Sequence, residues 1–144
     1  MIEVWKDVNT IDVLMDIWLN TNIEAHSFIS REYWEGNYEL VKSMLPTADL
    51  YIYSQDEKVV GFAGIVEESY IAGIFVLKDY QSQGIGKALL DFCKTKYKKL
   101  ALDVYCKNEQ AIAFYKRNNF IVATQSVDAS TNEKEYHMIW NGEK

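Results

Sequence analysis

The chain has 144 residues, 49% of them apolar and 25% charged, with seven glycines and one proline spread along its length; this is one folded domain, 1–144, and it excludes a disordered or low-complexity chain. Its 21 acidic side chains outnumber the 15 basic ones for a net charge of −6, which argues against a nucleic-acid partner, because such binding relies on Lys and Arg to displace counterions. No apolar run approaches the ~20 residues needed to span a bilayer, and Glu3, Lys6 and Asp7 deny the first residues a signal-peptide core, so no membrane association and a cytoplasmic location are expected.

Residues 1–7 alternate well enough for a first strand, with Ile2 and Val4 on one side. Asn9 or Thr10 then caps a helix in which Ile11, Leu14, Met15, Trp18 and Leu19 keep helical spacing, ending near Ile23. A second helical segment runs from about Ser30 to Pro46, and Gly36 predicts a break or kink inside it. Residues 49–54, 58–66 and 70–76 read as three antiparallel strands, joined through Gln55-Asp56-Glu57 and Glu67-Glu68-Ser69. A third helix carries Ile85, Leu89, Cys93 and Tyr97 at intervals of four, with Lys94, Lys96, Lys98 and Lys99 as a solvated C-terminal end. Residues 100–105 are short and apolar like a central strand, and the strand-helix-strand unit from Tyr70 to Tyr105 makes its two strands parallel neighbours. A fourth helix, 108–117, and a hairpin of 120–127 with 135–140 close the chain. The two cysteines, Cys93 and Cys106, are too few for a disulfide framework and are not spaced as metal ligands, so no metal is expected.

The most informative run is Val76 to Leu90, where a strand gives way to a glycine-bearing turn that opens into a helix. N–H groups at a helix start lack intrahelical partners and sit at the positive end of the dipole, so such a turn can grip a pyrophosphate. An ATP-binding P-loop would need glycine at Asp79 and Ser or Thr at Ala88, and a dinucleotide fingerprint would need glycine at Leu89. What remains is Gln-x-x-Gly-x-Gly on Gln81, Gly84 and Gly86. Downstream stands Asn108-Glu109-Gln110-Ala111-Ile112-Ala113-Phe114-Tyr115, followed by Asn119 and Phe120. Together the two motifs resemble the acetyl-CoA-binding signature of the GNAT N-acetyltransferase superfamily, Arg/Gln-x-x-Gly-x-Gly/Ala and then Asn-x-x-Ala-x-x-Phe-Tyr-x-x-x-Gly-Phe. Every position of the second matches except its glycine, here Asn119, the best non-glycine residue for a left-handed helix end. The specific motifs cover about Ile74 to Phe120, and the element order fits over the whole chain.

The resemblance implies a mixed α/β fold: a mostly antiparallel, twisted sheet of about seven strands, flanked by four helices, with a splayed parallel pair in the middle. It implies acetyl-CoA as co-substrate, its pantetheine amides bonding the main chain of Ile74, Phe75 and Val76 as an added strand would. Gln81, Gln83, Gly84, Gly86 and Lys87 would surround the pyrophosphate, although a lysine in a first helical turn is as often simply solvated. Asn108 would bond the cofactor or act as an N-cap. Tyr115 would be the catalytic residue, its phenol protonating the departing thiol. A primary amine would attack directly in a ternary complex, with a backbone N–H near Val76 polarising the carbonyl. The acceptor side would draw on His26, Phe28, Tyr33, Tyr70 and Tyr136. Glu67, Glu68, Tyr70, His26, Tyr33, Tyr136 and His137 all remain open as the base that deprotonates the amine. The acceptor is a small-molecule or protein amine, and the enzyme a monomer or homodimer. The rival reading is an acyl-CoA-binding, sensing module without catalysis.

Overall fold

The computed structural model describes residues 1–6 and 10–142. The first strand, β1 (Ile2–Val4), is shorter than the sequence pattern suggests. It pairs antiparallel with β2 (Asp49–Gln55), and Trp5 N–H donates to the Leu50 carbonyl at 2.9 Å beyond its end. Asp7 and Asn9 lie outside the described residues. Thr10 occupies the N-cap position of α1 (Ile11–Ala25), which runs two residues past Ile23 and buries Leu14, Met15, Ile17 and Trp18.

The second predicted helical segment divides into α2 (Arg31–Gly36) and α3 (Tyr38–Met44), giving five α-helices among the described residues instead of four. Gly36 brings backbone freedom to the junction, and the Asn37 Nδ2 amide donates to the Tyr33 carbonyl at 2.7 Å, competing with helix continuation. A 3₁₀ turn, Leu45–Thr47, carries the chain past Pro46 into β2.

The antiparallel ladder of β2, β3 (Lys58–Val66) and β4 (Tyr70–Val76) is joined by two tight turns. Asp56 and Glu57, the two-residue link between β2 and β3, and Glu67 and Glu68, within the three-residue link between β3 and β4, all have φ between 51° and 68°, the left-handed backbone of primed turns. α4 (Ile85–Lys96) then returns the chain so that β5 (Lys99–Tyr105) runs parallel to β4. α5 (Glu109–Arg117) ends at Asn119, whose φ of 74° is the left-handed conformation expected of it, while Phe120 N–H donates back to the Tyr115 carbonyl at 3.0 Å. β6 (Ile121–Asp128) and β7 (Glu133–Asn141) form the closing hairpin, with β7 inserted beside β5. The seven strands follow the order β1-β2-β3-β4-β5-β7-β6, antiparallel throughout except at β4–β5.

Each face of the sheet carries its own core. On one, Ile85, Leu89, Leu90 and Cys93 of α4 pack against Val60, Ile65, Leu100, Leu102 and Met138. On the other, Leu14, Met15 and Trp18 of α1 and Trp34 of α2 pack against Leu50 and Phe62. Lys94 is tied down, contrary to a wholly solvated helix end: its ammonium donates to the Asn118 carbonyl at 2.5 Å and lies over the Phe120 and Trp140 rings. No helix among the described residues is long and apolar enough to cross a membrane.

Phe62 is wholly buried, so Phe62→Ala should lower the unfolding free energy by about 3–5 kcal/mol. Ile121→Ala, at a side chain 62% exposed, should stay within about 0.5 kcal/mol of wild type, both read by urea unfolding.

Candidate active site

The site begins where hydrogen bonding between two strands stops. β4 and β5 share a single parallel register pair, Tyr70 with Ala101, supported by Ala101 N–H donating to the Ser69 carbonyl at 3.0 Å. Beyond it the strands part. On its other edge β4 stays paired with β3, and Leu77 N–H donates to the Val60 carbonyl at 2.9 Å. Because bonded and non-bonded pairs alternate in an antiparallel ladder, Phe75 turns its main chain toward Phe62, whereas Ile74 and Val76 turn theirs toward the gap. Of the three residues expected to offer backbone there, Phe75 therefore does not. The Val76 carbonyl already accepts the Gln81 Nε2 amide at 2.9 Å, and the Val76 N–H faces the gap.

A cleft of about 630 Å³ opens at this gap, and Ile74, Phe75, Val76, Gln81, Gly84, Gly86, Lys87, Asn108, Tyr115 and His26 all line it. At its phosphate end, Gly84 precedes α4 with φ of 84°, and a Cβ built on it meets nothing within 4 Å. The left-handed backbone, not crowding, thus calls for glycine, and the space above it is open. The first turn of α4 carries no acidic side chain, so its unpartnered N–H groups keep their positive character. Ser82, with φ of 65°, lines the cleft as well and was missed from sequence, since serine has no place in the motif spacing. Lys87 lines the wall but its ammonium pairs with Asp91 at 2.6 Å. Gln83 does not line the cleft; its amide turns back to the Asp79 carbonyl at 3.4 Å. An open glycine turn at a helix start, beside strand backbone facing a gap, fits a diphosphate joined to an amide-bearing arm.

Tyr115 is 8% exposed, its ring set against Phe114 and Phe120. Burial first, and nearby Cys93 second, hold its phenol well above the ordinary tyrosine range, so it keeps its proton throughout neutral pH. Burial likewise pushes the Cys93 thiol up to about 11, which leaves it a poor nucleophile.

Across the cleft, His26 stacks on Trp34 with centroids 5.1 Å apart and meets Phe28 and Tyr105 edge-on. Asn108 caps α5, its Oδ1 accepting Ala111 N–H at 3.2 Å, which turns its Nδ2 toward His26 Nε2 at 3.3 Å. His26 Nε2 must then accept, so Nδ1 carries the proton and donates to the Asn22 carbonyl at 3.0 Å. Burial lowers the His26 pKa and the bond to Asn22 only partly opposes it, so the ring is neutral at neutral pH.

The other expected acceptor residues scatter. Phe28 and Tyr33 pack behind His26 and Trp34 without lining the cleft. Tyr70 stands outside the lining, its hydroxyl donating to Asp103 Oδ2 at 2.7 Å. Tyr136 lies opposite Val104 in the register and packs with the α4 cluster, on the face away from α1. Glu67 and Glu68 form the hairpin turn. His137 instead faces Asp103, Nδ1 to Oδ1 at 3.0 Å. Asp103 was missed because it sits in a short strand that reads as apolar. The Trp34 indole N–H is a buried donor without a partner among the described residues.

Residues 46–122 match the family model described as Acetyltransferase (GNAT) domain. A peptidyl-lysine N-acetyltransferase of Escherichia coli, YiaC, is 31% identical over 128 residues, covering 88% of this chain and 88% of that protein. Among solved structures, the solution structure of apo-form YjaB from Escherichia coli superposes with a TM-score of 0.83 at 26% identity, covering 97% of each chain. The PaiA N-acetyltransferase of Thermoplasma acidophilum, crystallised in complex with coenzyme A, shares the fold with a TM-score of 0.75 at 21% identity over 98% of this chain and 99% of that one.

Two measurements probe this geometry. Gly84→Ala should cost about 1–2 kcal/mol of stability through its positive φ alone, and calorimetry should show weaker coenzyme A uptake, because the new methyl group enters the open space. For His26 the folded pKa lies below the unfolded value of 6.5, so the unfolded chain binds the extra proton and stability falls as pH drops through that value. The urea midpoint should therefore fall from pH 7.5 to pH 5 by less in His26→Gln than in wild type.

Proposed function

The chain belongs to the GNAT acetyltransferase family, shown by the domain match over residues 46–122, and from that premise we propose that it transfers an acetyl group from acetyl-CoA to the side chain of a protein lysine within a ternary complex. Its class is that of an N-acetyltransferase. The lysine assignment draws support from the peptidyl-lysine specificity named for YiaC and for YjaB, the latter 31% identical over 114 residues in Escherichia coli.

Acetyl-CoA, when bound, supplies an activated thioester. The open turn at Gly84, Gly86 and the first N–H groups of α4 suit its diphosphate, and the main chain of Ile74 and Val76 suits the amides of its arm. Val76 N–H faces the gap, in position to donate to a carbonyl oxygen as negative charge develops there. Burial keeps Tyr115 protonated, so its phenol would offer a hydrogen bond to the sulfur of a departing thiol, and the proton that the attacking amine gives up on forming the amide would balance the one the thiol gains. Cys93 stays protonated and buried, so attack falls to the amine itself and needs no acyl-enzyme intermediate.

The observation that carries this reading is the juxtaposition, in one cleft, of strand backbone turned to the gap at Val76 with the protonated phenol of Tyr115. A sensing module would need the binding half alone; retention of Tyr115 beside the gap supports catalysis. Thiol release from acetyl-CoA with lysine-containing peptides tests it. Tyr115→Phe should lower kcat by about a hundredfold or more with coenzyme A affinity unchanged. A ping-pong pattern, or undiminished turnover in Tyr115→Phe, would overturn the assigned chemistry.

A further inference from the structure

Among the described residues that line the cleft, Asp103 is the only carboxylate. Its flanking residues Leu102 and Val104 join the cluster that contains Tyr115, so strand alternation projects Asp103 from the opposite face of the sheet. Tyr105, two residues on, packs with the α1 and α2 cluster on that same face. The gap between β4 and β5 is thus open to Tyr115 from one side and to Asp103 from the other.

Two neighbours hold this carboxylate in place. The Tyr70 hydroxyl of β4 donates to Oδ2 at 2.7 Å, and His137 of β7, its direct partner in the register, places Nδ1 at 3.0 Å from Oδ1. A carboxylate offers about four lone-pair positions, so two bonds leave room for a further donor. Tyr70 stays a neutral phenol, its pKa raised by burial and by Asp103. Glu135, which shares the His137 face of β7, adds negative potential; burial, Asp103 and Asp128 raise its pKa. The ammonium of Lys107, which follows β5, lies over the Phe28 ring and is engaged by Glu133 at 3.2 Å. Lys87 and Arg117, the cations of the cleft wall, stand on α4 and α5, across the sheet.

We propose that Asp103, fixed by Tyr70 and His137, is the acceptor-selecting residue: it receives the ammonium of a lysine side chain as the amine enters from the α1 face. The inference rests on the transferase reading above and names the group that recognises its acceptor. His26, Trp34 and Tyr105 line the same side and provide an aromatic wall for the methylene stem, as long cationic side chains favour.

The test compares two nucleophiles on wild type, Asp103→Asn and Asp103→Glu. One is an N-terminally blocked lysine peptide, cationic at neutral pH, and the other an alkoxyamine, uncharged there. Asp103→Asn keeps an acceptor for Tyr70 but loses the charge, so KM for the peptide should rise about tenfold to a hundredfold. KM for the alkoxyamine and coenzyme A affinity by calorimetry should not change, and Asp103→Glu should recover part of the loss. Equal losses with both nucleophiles, or an unaltered peptide KM, would overturn this assignment while leaving the transferase reading intact. Failure of the wild-type protein to consume acetyl-CoA with either nucleophile would overturn that reading and this inference with it.

Discussion

Everything functional in this molecule depends on β4 and β5 ceasing to pair after one register position. Strand backbone that faces no partner strand is costly if buried, because its N–H and C=O groups must be satisfied. The chain maintains the gap with apolar packing around β4. A register shift at Gly64/Ile65 leaves Ala72 as an extra residue on β4, and such a bulge bends the strand that carries it. Immediately after it, the Phe75 ring folds back over Gly73, where a Cβ would lie 2.1 Å from the ring, and packs on Phe62 at 5.0 Å between centroids. A side chain at position 73 would therefore displace the Phe75 ring. The result is a parted edge whose hydrogen-bonding groups are matched by a ligand that carries amides along an extended arm.

The gap also joins the two faces of the sheet. α4 and α5 cover one and bring the glycine turn and Tyr115; α1 and α2 lie over the other and bring the aromatic wall around His26. A direct transfer between two bound molecules needs both to reach a common point without excluding each other. Opposite faces of a parted sheet satisfy that requirement geometrically. The electrostatics follow the same division: a phenol held neutral by burial on one side, and a carboxylate held by two neighbours on the other.

What the sequence reveals is what depends on local spacing. The turn at Gln81 to Gly86, the helix start at Asn108 and the left-handed Asn119 are each defined within a few residues, and all three stand as expected. The break at Gly36 was likewise signalled by its residue. The acceptor face was less legible because membership of a face is set by register, and a shift of one residue exchanges the two faces. Thus Tyr136 and His137, adjacent in sequence, divide between the α4 cluster and Asp103. Phe75 was misjudged for a related reason: the direction of its backbone follows the alternation of the β3–β4 ladder, which no residue type announces. Asp103 becomes conspicuous only when Tyr70 and His137, remote in sequence, converge on its two oxygens.

One bond couples the two halves. Asn108 commits its Oδ1 to the first turn of α5 and so must present its amide to His26, which in turn is anchored through Nδ1 to the last turn of α1. The start of the helix that carries Tyr115 is thereby braced against the end of α1. Each proton in the brace has one position consistent with its neighbours, so protonating His26 would set two donors against each other at Nε2 and remove the only acceptor Asn108 Nδ2 meets there. The lowered His26 pKa is thus of structural use: a ring held neutral by burial keeps Nε2 available to Asn108 and the brace closed.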